Sequence, residues 1–174
     1  MSITRTHLIY DGKVVNLALY EISLPDGDKA IRELIEHTGA VAIVALDDEQ
    51  QVLLVRQYRI GAGDSLYEIP AGLLEPDELP EDCAIRELRE ETGYQPGSLQ
   101  PMGGYYTAPG YTTEYIYLYL AQDLTPAPLQ QDHDEFVEMV RVPLTEALSM
   151  IERQEIVDGK SIIGLLKVAR SLHL

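Results

Sequence analysis

Positive charge is scarce in this chain. Against 29 Asp and Glu stand only 13 Lys and Arg, a formal net charge of -16. Such a surface repels polyphosphate backbones and anionic bilayers, which argues against nucleic acid or a membrane as a partner. A phosphorylated substrate would have to arrive with a cation or meet a local basic spot. Cysteine is nearly absent: Cys83 alone cannot make an internal disulfide, and no residue pattern for thiol chemistry surrounds it, so it reads as a small helix residue. No stretch approaches about 18 consecutive apolar residues. Met1 leads into polar Ser2, Thr4, Arg5 and Thr6 and not into a signal-type apolar run, so the expected compartment is the cytoplasm. Internal repeats and low-complexity tracts are also lacking. What remains is 174 residues of ordinary balance, 45% hydrophobic and 24% charged, enough for one core or one domain with a small appendage.

The densest information lies between Gly72 and Tyr94, which read Gly72-x5-Glu78-x7-Arg86-Glu87-Leu88-x-Glu90-Glu91-x-Gly93-Tyr94. Ala84, Ile85 and Leu88 recur at helical spacing, Pro80 suits a first helical residue and Gly93 a left-handed one just past the end. The spacing predicts one amphipathic helix over Pro80 to Thr92. On it Glu87, Glu90 and Glu91 stand three and four residues apart around one edge, where like charges repel. A helix needing only solubility would alternate signs, as Arg86 and Glu90 do. The uncompensated cluster points to a bound cation, and hard oxygen donors suit magnesium or manganese better than zinc. The competing reading, a solvated acidic face, is the ordinary one for a Glu-rich helix. The fixed offsets of Gly72, Glu78, Arg86 and Gly93 weigh against it.

Elsewhere the chain divides at its turns. Asp11-Gly12 and Pro25-Asp26-Gly27-Asp28 separate apolar-bearing segments at Leu8 to Tyr10, Val14 to Leu24 and Ala30 to Glu36, a small antiparallel meander. The third segment is ambiguous, because Ile31, Leu34 and Ile35 fit a helical period better than alternation. Val41 to Leu46 and Val52 to Val55, joined by Asp47-Asp48-Glu49-Gln50, read as a hairpin. Leu66 to Ile69 reads as a short strand ending at Pro70. Tyr115 to Leu120 alternates tyrosines against Ile116, Leu118 and Leu120, the pattern of a packed strand more than of an adenine platform. Phe136 to Val142 reads as a further strand, and helices are expected near Leu144 to Arg153 and Ser161 to Leu172. Strands on either side of a central helix, with helices at the end, indicate a mixed α/β sheet covered on both faces.

The Gly72 to Tyr94 segment resembles the Nudix box, and chance would match its seven single-type positions about once in a hundred million starting points. The resemblance implies a Nudix-type α/β/α sandwich with a mixed sheet, and hydrolysis of a nucleoside diphosphate linked to another group with magnesium or manganese, in two or more ions. It places metal ligands at Glu87, Glu90 and Glu91 and at the carbonyl of Ala71, makes Arg86 the tether of the box carboxylates, and gives Glu78 a supporting role.

Three further segments are similar to the ADP-ribose pyrophosphatase subfamily: Val55-Arg56-Gln57-Tyr58-Arg59, Glu68-Ile69-Pro70-Ala71-Gly72-Leu73-Leu74-Glu75, and Thr107-Ala108-Pro109-Gly110-Tyr111-Thr112-Thr113-Glu114. They imply substrate contacts from Arg56, Leu73, Glu75, Pro109 and Glu114, with Arg56 on phosphate and Glu114 on the terminal ribose. They also imply an N-terminal three-stranded module, residues 1–38, exchanged between the subunits of a homodimer, ahead of a catalytic domain at 39–174, which resolves the ambiguous third segment as a strand. The implied reaction is hydrolysis of ADP-ribose to AMP and ribose 5-phosphate. Another nucleotide sugar or dinucleotide as substrate, and a binding module without catalysis, are the alternatives. The general base stays open among Glu135, His133 and Glu90: in the acidic stretch from Gln131 to Glu138, His133 stands where some relatives carry a glutamate. Asp132-x-Asp134 lacks the later glycine of a calcium loop.

Overall fold

A computed structural model describes residues 2–130 and 137–174 of the chain. Two compact units emerge, one of residues 1–39 with 104–116 and one of 40–103 with 117–174.

In the first unit, β1 (Ile3–Asp11), β2 (Asn16–Ser23) and β3 (Lys29–Glu36) form a three-stranded antiparallel sheet with β2 in the middle. The third segment is thus a strand, in register with β2 from Asn16↔Glu36 to Ser23↔Lys29. The helical spacing of Ile31, Leu34 and Ile35 is overridden by pairing, as local propensity often is. All nine residues of β1 are exposed.

The second unit is built on β4 (Ala40–Leu46), β5 (Gln51–Arg59), β6 (Asp64–Glu68), β7 (Ala71–Leu73), α1 (Pro80–Thr92), β8 (Tyr94–Gln95), β9 (Ser98–Tyr106), β10 (Tyr115–Gln122), β11 (Thr125–Pro126), β12 (Glu138–Pro143), α2 (Leu144–Glu152) and α3 (Gly159–Ser171), with the ends of β9 and β10 running on into the first unit. The main sheet is ordered β12-β5-β4-β10-β9, with β6 on β5 and β7 on β4, while β8 and β11 pair separately. β4 is central and buried along its whole length. Val41, Ile43 and Ala45 share a cluster with Cys83, Ala84 and Leu88 of α1. Val44, pointing the other way, lies with Ile69 and Leu118 against Gly164 of α3. One helix therefore covers each face of the sheet, giving the α/β/α sandwich.

The box helix begins and ends where its residues require. Pro80 opens it, Glu81 and Asp82 lie in its first turn, and Gly93 closes it at φ 78°, a conformation glycine adopts without strain. The strand β9 has no counterpart in the periodicity, because Pro101, Gly103 and Gly104 interrupt it. Those residues are tolerated at the edge of a sheet, which is where β9 lies. Among the described residues no helix is long and apolar enough to cross a membrane.

At Gly164, α3 lies closely against the sheet. A Cβ there would stand 2.9 Å from both Ile69 Cδ1 and Val44 Cγ2. Gly164→Val is expected to destabilise the fold by about 1–3 kcal/mol through overpacking, read as a lower urea midpoint at unchanged slope. An unchanged midpoint would show that the helix shifts freely.

Candidate active site

The site grows from one arginine. Arg86 follows the buried Cys83 and Ala84 by less than one turn, and its side chain runs back toward the loop before the helix. Its Nε and Nη2 donate to the two carboxylate oxygens of Glu78, at 2.8 and 2.9 Å. Its Nη1 donates to Glu87 Oε1 at 2.6 Å and to Glu90 Oε2 at 3.0 Å, and Nη2 also reaches the carbonyl of Leu73 at 3.1 Å. A planar fork of donors suits this gathering, where a lysine would offer a single point charge. The bidentate contact from Arg86 holds the Glu78 carboxyl at about 2, well below the usual 4.5, and the backbone N–H of Glu75 adds to it. Glu78 in turn keeps the guanidinium charged, raising its pKa above the ordinary value.

The third box glutamate is held differently. Glu91 is 4% exposed; its Oε2 accepts from the N–H of Ala71 at 2.9 Å and its Oε1 from the Gln57 amide at 3.4 Å. Glu87 lies against the same short strand, since a Cβ on Gly72 would fall 1.9 Å from its carboxyl group. Gly72 is therefore needed for close approach and not for a turn. Cys83 joins this network as a neutral thiol: burial pushes its pKa up, its Sγ accepts from Arg86 Nη2 at 3.3 Å and donates to the Leu73 carbonyl at 3.4 Å.

These donors fit a hard divalent cation. Glu87, Glu90, Glu91 and the Ala71 carbonyl offer oxygen only, and Glu87 and Glu90 already converge on a single nitrogen. Among the described residues no three His, Cys, Asp or Glu side chains stand as a ready cage, and the Arg86 guanidinium is the group that takes up Glu87 and Glu90.

Leu73 and Glu75, in the part of the box that precedes its helix, are exposed. Arg56 is exposed on β5 with its guanidinium 5.7 Å from the Tyr67 ring. Strand alternation puts it on the face opposite Gln57, so it is not gathered with Glu91. Pro109 and Glu114 belong to the first unit. Pro109 is exposed in a turn closed by the N–H groups of Tyr111 and Thr112 on the Ala108 carbonyl, each at 3.0 Å. Glu114 accepts from Thr107 Oγ1 at 2.6 Å and faces His37 Nε2 at 3.7 Å. Glu135 and His133 lie outside the described residues.

Sequence reasoning missed Gln57 as a partner of Glu91, and it missed a buried charge cluster. Glu68, 1% exposed, takes Arg59 bidentately at 2.7 Å on each oxygen and also Lys160. Burial alone would raise its pKa, but the two cations outweigh burial and lower it. A signal for the Lys160 end was available: Asp158 three residues before Ser161 is an N-cap pattern, and its carboxylate does accept from the Ser161 N–H at 3.0 Å.

Fold and site together define an α/β sandwich carrying a glutamate-rich loop, helix and loop beside its central strand. The NUDIX domain model matches residues 31–162. The chain is 41% identical over 155 residues to the ADP-ribose pyrophosphatase of Bacillus subtilis (strain 168), covering 88% of this chain and 84% of that protein. It is 39% identical over 163 residues to the methanol dehydrogenase activator of Bacillus methanolicus, covering 92% and 88%. A crystal structure of an ADP compounds hydrolase superposes with a TM-score of 0.84 over 99% of this chain and 92% of that one, at 24% identity, and shares its fold. The chain belongs to the Nudix family.

The Glu78–Arg86 pair makes acid stability testable. Because the folded Glu78 carboxyl sits below its ordinary value, its contribution is complete above about pH 4.5 and is lost as pH falls toward about 2. Glu78→Gln should be less stable than the parent at pH 6, with the gap closing below about pH 4.5, in urea unfolding with chelator present. A gap independent of pH would contradict this.

Proposed function

We propose that this chain hydrolyses the pyrophosphate bond of ADP-ribose to AMP and ribose 5-phosphate. The observation that carries the reading is the convergence of Glu87 and Glu90 on one guanidinium nitrogen, with Glu91 locked to Ala71 of the adjoining strand. The 41% identity to the Bacillus subtilis ADP-ribose pyrophosphatase supports the choice of substrate.

Nudix hydrolases generally use divalent metal ions. Glu87, Glu90, Glu91 and the Ala71 carbonyl would hold them here, as two or more Mg2+ or Mn2+. Once bound, such cations offset the diphosphate charge and lower the pKa of a coordinated water. The protein's own part is orientation. Arg86, anchored on Glu78, sets the direction of Glu87 and Glu90, and Gln57 with the Ala71 N–H sets that of Glu91. Arg56, which has no ion-pair partner among the described residues, would contact phosphate with its fork of donors. Glu114, already oriented by Thr107, would bind the terminal ribose hydroxyls, and Pro109, Leu73 and Glu75 would also contact substrate. Glu135, His133 or Glu90 would take the proton from the attacking water.

Residues 1–38 would serve as the dimerisation module and 39–174 as the catalytic domain. Support comes from β1, an edge strand exposed on both faces and bearing Ile3, Leu8, Ile9 and Tyr10. An apolar, unpaired edge of that length is normally covered.

With Mg2+ and ADP-ribose the protein should release AMP and ribose 5-phosphate, and Glu91→Gln should lower kcat by about 100-fold or more. Preference for another diphosphate by about a hundredfold would overturn the substrate, and no metal-dependent release of AMP would overturn the reaction. In the same assay Glu135→Gln and His133→Gln, made separately, assign the base: if neither loses about tenfold, Glu90 remains. The solution mass should be that of two 19.4 kDa chains, and a monomer would contradict the exchanged module.

A further inference from the structure

The chain between β6 and β7 is two residues long, and it decides where Ala71 meets Glu91. Pro70 has no N–H to donate, so Ile69 carries the only backbone donor of the link. That N–H is buried and goes to the Ser161 hydroxyl in the first turn of α3, at 2.8 Å and 92 residues away in sequence. The Ser161 hydroxyl in turn donates a hydrogen bond to Oδ2 of Asp158, the N-cap of the same helix. One residue earlier, the Glu68 carboxylate is gripped by Lys160 Nζ at 2.5 Å, and Lys160 also reaches Asp158 Oδ1 at 3.1 Å. One residue later, the Pro70 carbonyl accepts from the N–H of Ile43 at 2.8 Å. Next in line is the Ala71 N–H on Glu91.

Four consecutive residues, 68 to 71, are thus held by five partners, since Glu68 also takes Arg59 on both oxygens, and two of the five come from α3. The strand that follows, β7, is only three residues long and pairs with β4 alone. So short a strand does not set its own register to a fraction of an ångström. The position of Ala71, and with it the direction of the Glu91 carboxylate, depends on how the link before it is held.

We infer that Lys160 and Ser161 are positioning residues for Glu91, acting through Glu68 and Ile69. The inference rests on the reading of Glu91 as a metal ligand. Removing the Ser161 hydroxyl leaves a buried N–H unpaired, which the link relieves by moving. The movement appears at Ala71, where the Glu91 carboxylate loses its backbone donor and its fixed direction. Outer partners of a metal ligand typically change affinity about 10- to 100-fold, and a group that acts two residues back along the chain should change it by less, about three- to tenfold.

The test is Mn2+ binding to the metal-free protein, followed by electron paramagnetic resonance, for the parent, Ser161→Ala, Ser161→Thr and Lys160→Gln. Thermal unfolding is measured alongside. Ser161→Ala should bind Mn2+ about three- to tenfold more weakly and need correspondingly more Mg2+ for half-maximal turnover, with KM for ADP-ribose within about twofold of the parent. Ser161→Thr, which restores the hydroxyl, should recover most of the Mn2+ affinity. Lys160→Gln should move in the direction of Ser161→Ala, and it carries the test alone if the alanine variant does not fold. A lower Tm with Mn2+ affinity equal to the parent's would overturn the inference and leave the proposed function standing. A parent protein that binds no Mn2+ would overturn both.

Discussion

The guanidinium of Arg86 is the contact on which the site depends. It joins the loop before the box helix, through Glu78 and the Leu73 carbonyl, to the helix itself, through Glu87 and Glu90. Without a cation there, two carboxylates on one edge of a helix and a third group of like sign nearby would drive the loop away from α1. With it, the excess of acid becomes an ordered arrangement of oxygen atoms. The scarcity of basic residues gives this arginine its weight, since few others are available to balance so many acids.

A second constraint is backbone placement. β7 brings Gly72 so near the helix that no side chain fits beside Glu87, and it turns the Ala71 N–H onto Glu91. Both features require a strand set closely against the helix. β4 supplies one support by pairing, and the link behind it, tied to α3, supplies the other. The two helices on opposite faces of the sheet therefore both bear on the same few atoms: α1 carries the carboxylates and α3 holds the strand they meet.

Much of this was legible in the residues alone. The box helix was readable from end to end because Pro80, the apolar spacing and Gly93 are local signals that agree with the tertiary structure. The hairpin of β4 and β5 was readable from its β-branched runs and acidic turn. The carboxylate cluster followed from spacing, the tethering role of Arg86 was implied by the resemblance to the Nudix box, and the close approach that Gly72 allows to Glu87 was not readable. Other features were not legible because they come from contacts distant in sequence. β9 is broken by proline and glycine and exists through its place at a sheet edge. Helical spacing in β3 yields to pairing with β2. Gln57 meets Glu91 only because strand alternation and helix packing bring them together, and the same alternation turns Arg56 to the other face. Glu68 and Lys160 are 92 residues apart, and nothing in either neighbourhood announces the other.

The central claim is that Glu87, Glu90 and Glu91 form a cation site that Arg86 organises in the absence of metal. A crystal structure of the protein soaked in Mn2+, with ions located by anomalous scattering, tests it most directly. The account predicts peaks bound by Glu87, Glu91 and the Ala71 carbonyl, with Glu90 bound directly or through water and Arg86 still on Glu78. Peaks confined to other acidic surfaces, with Glu87 and Glu90 remaining on the Arg86 guanidinium, would contradict it.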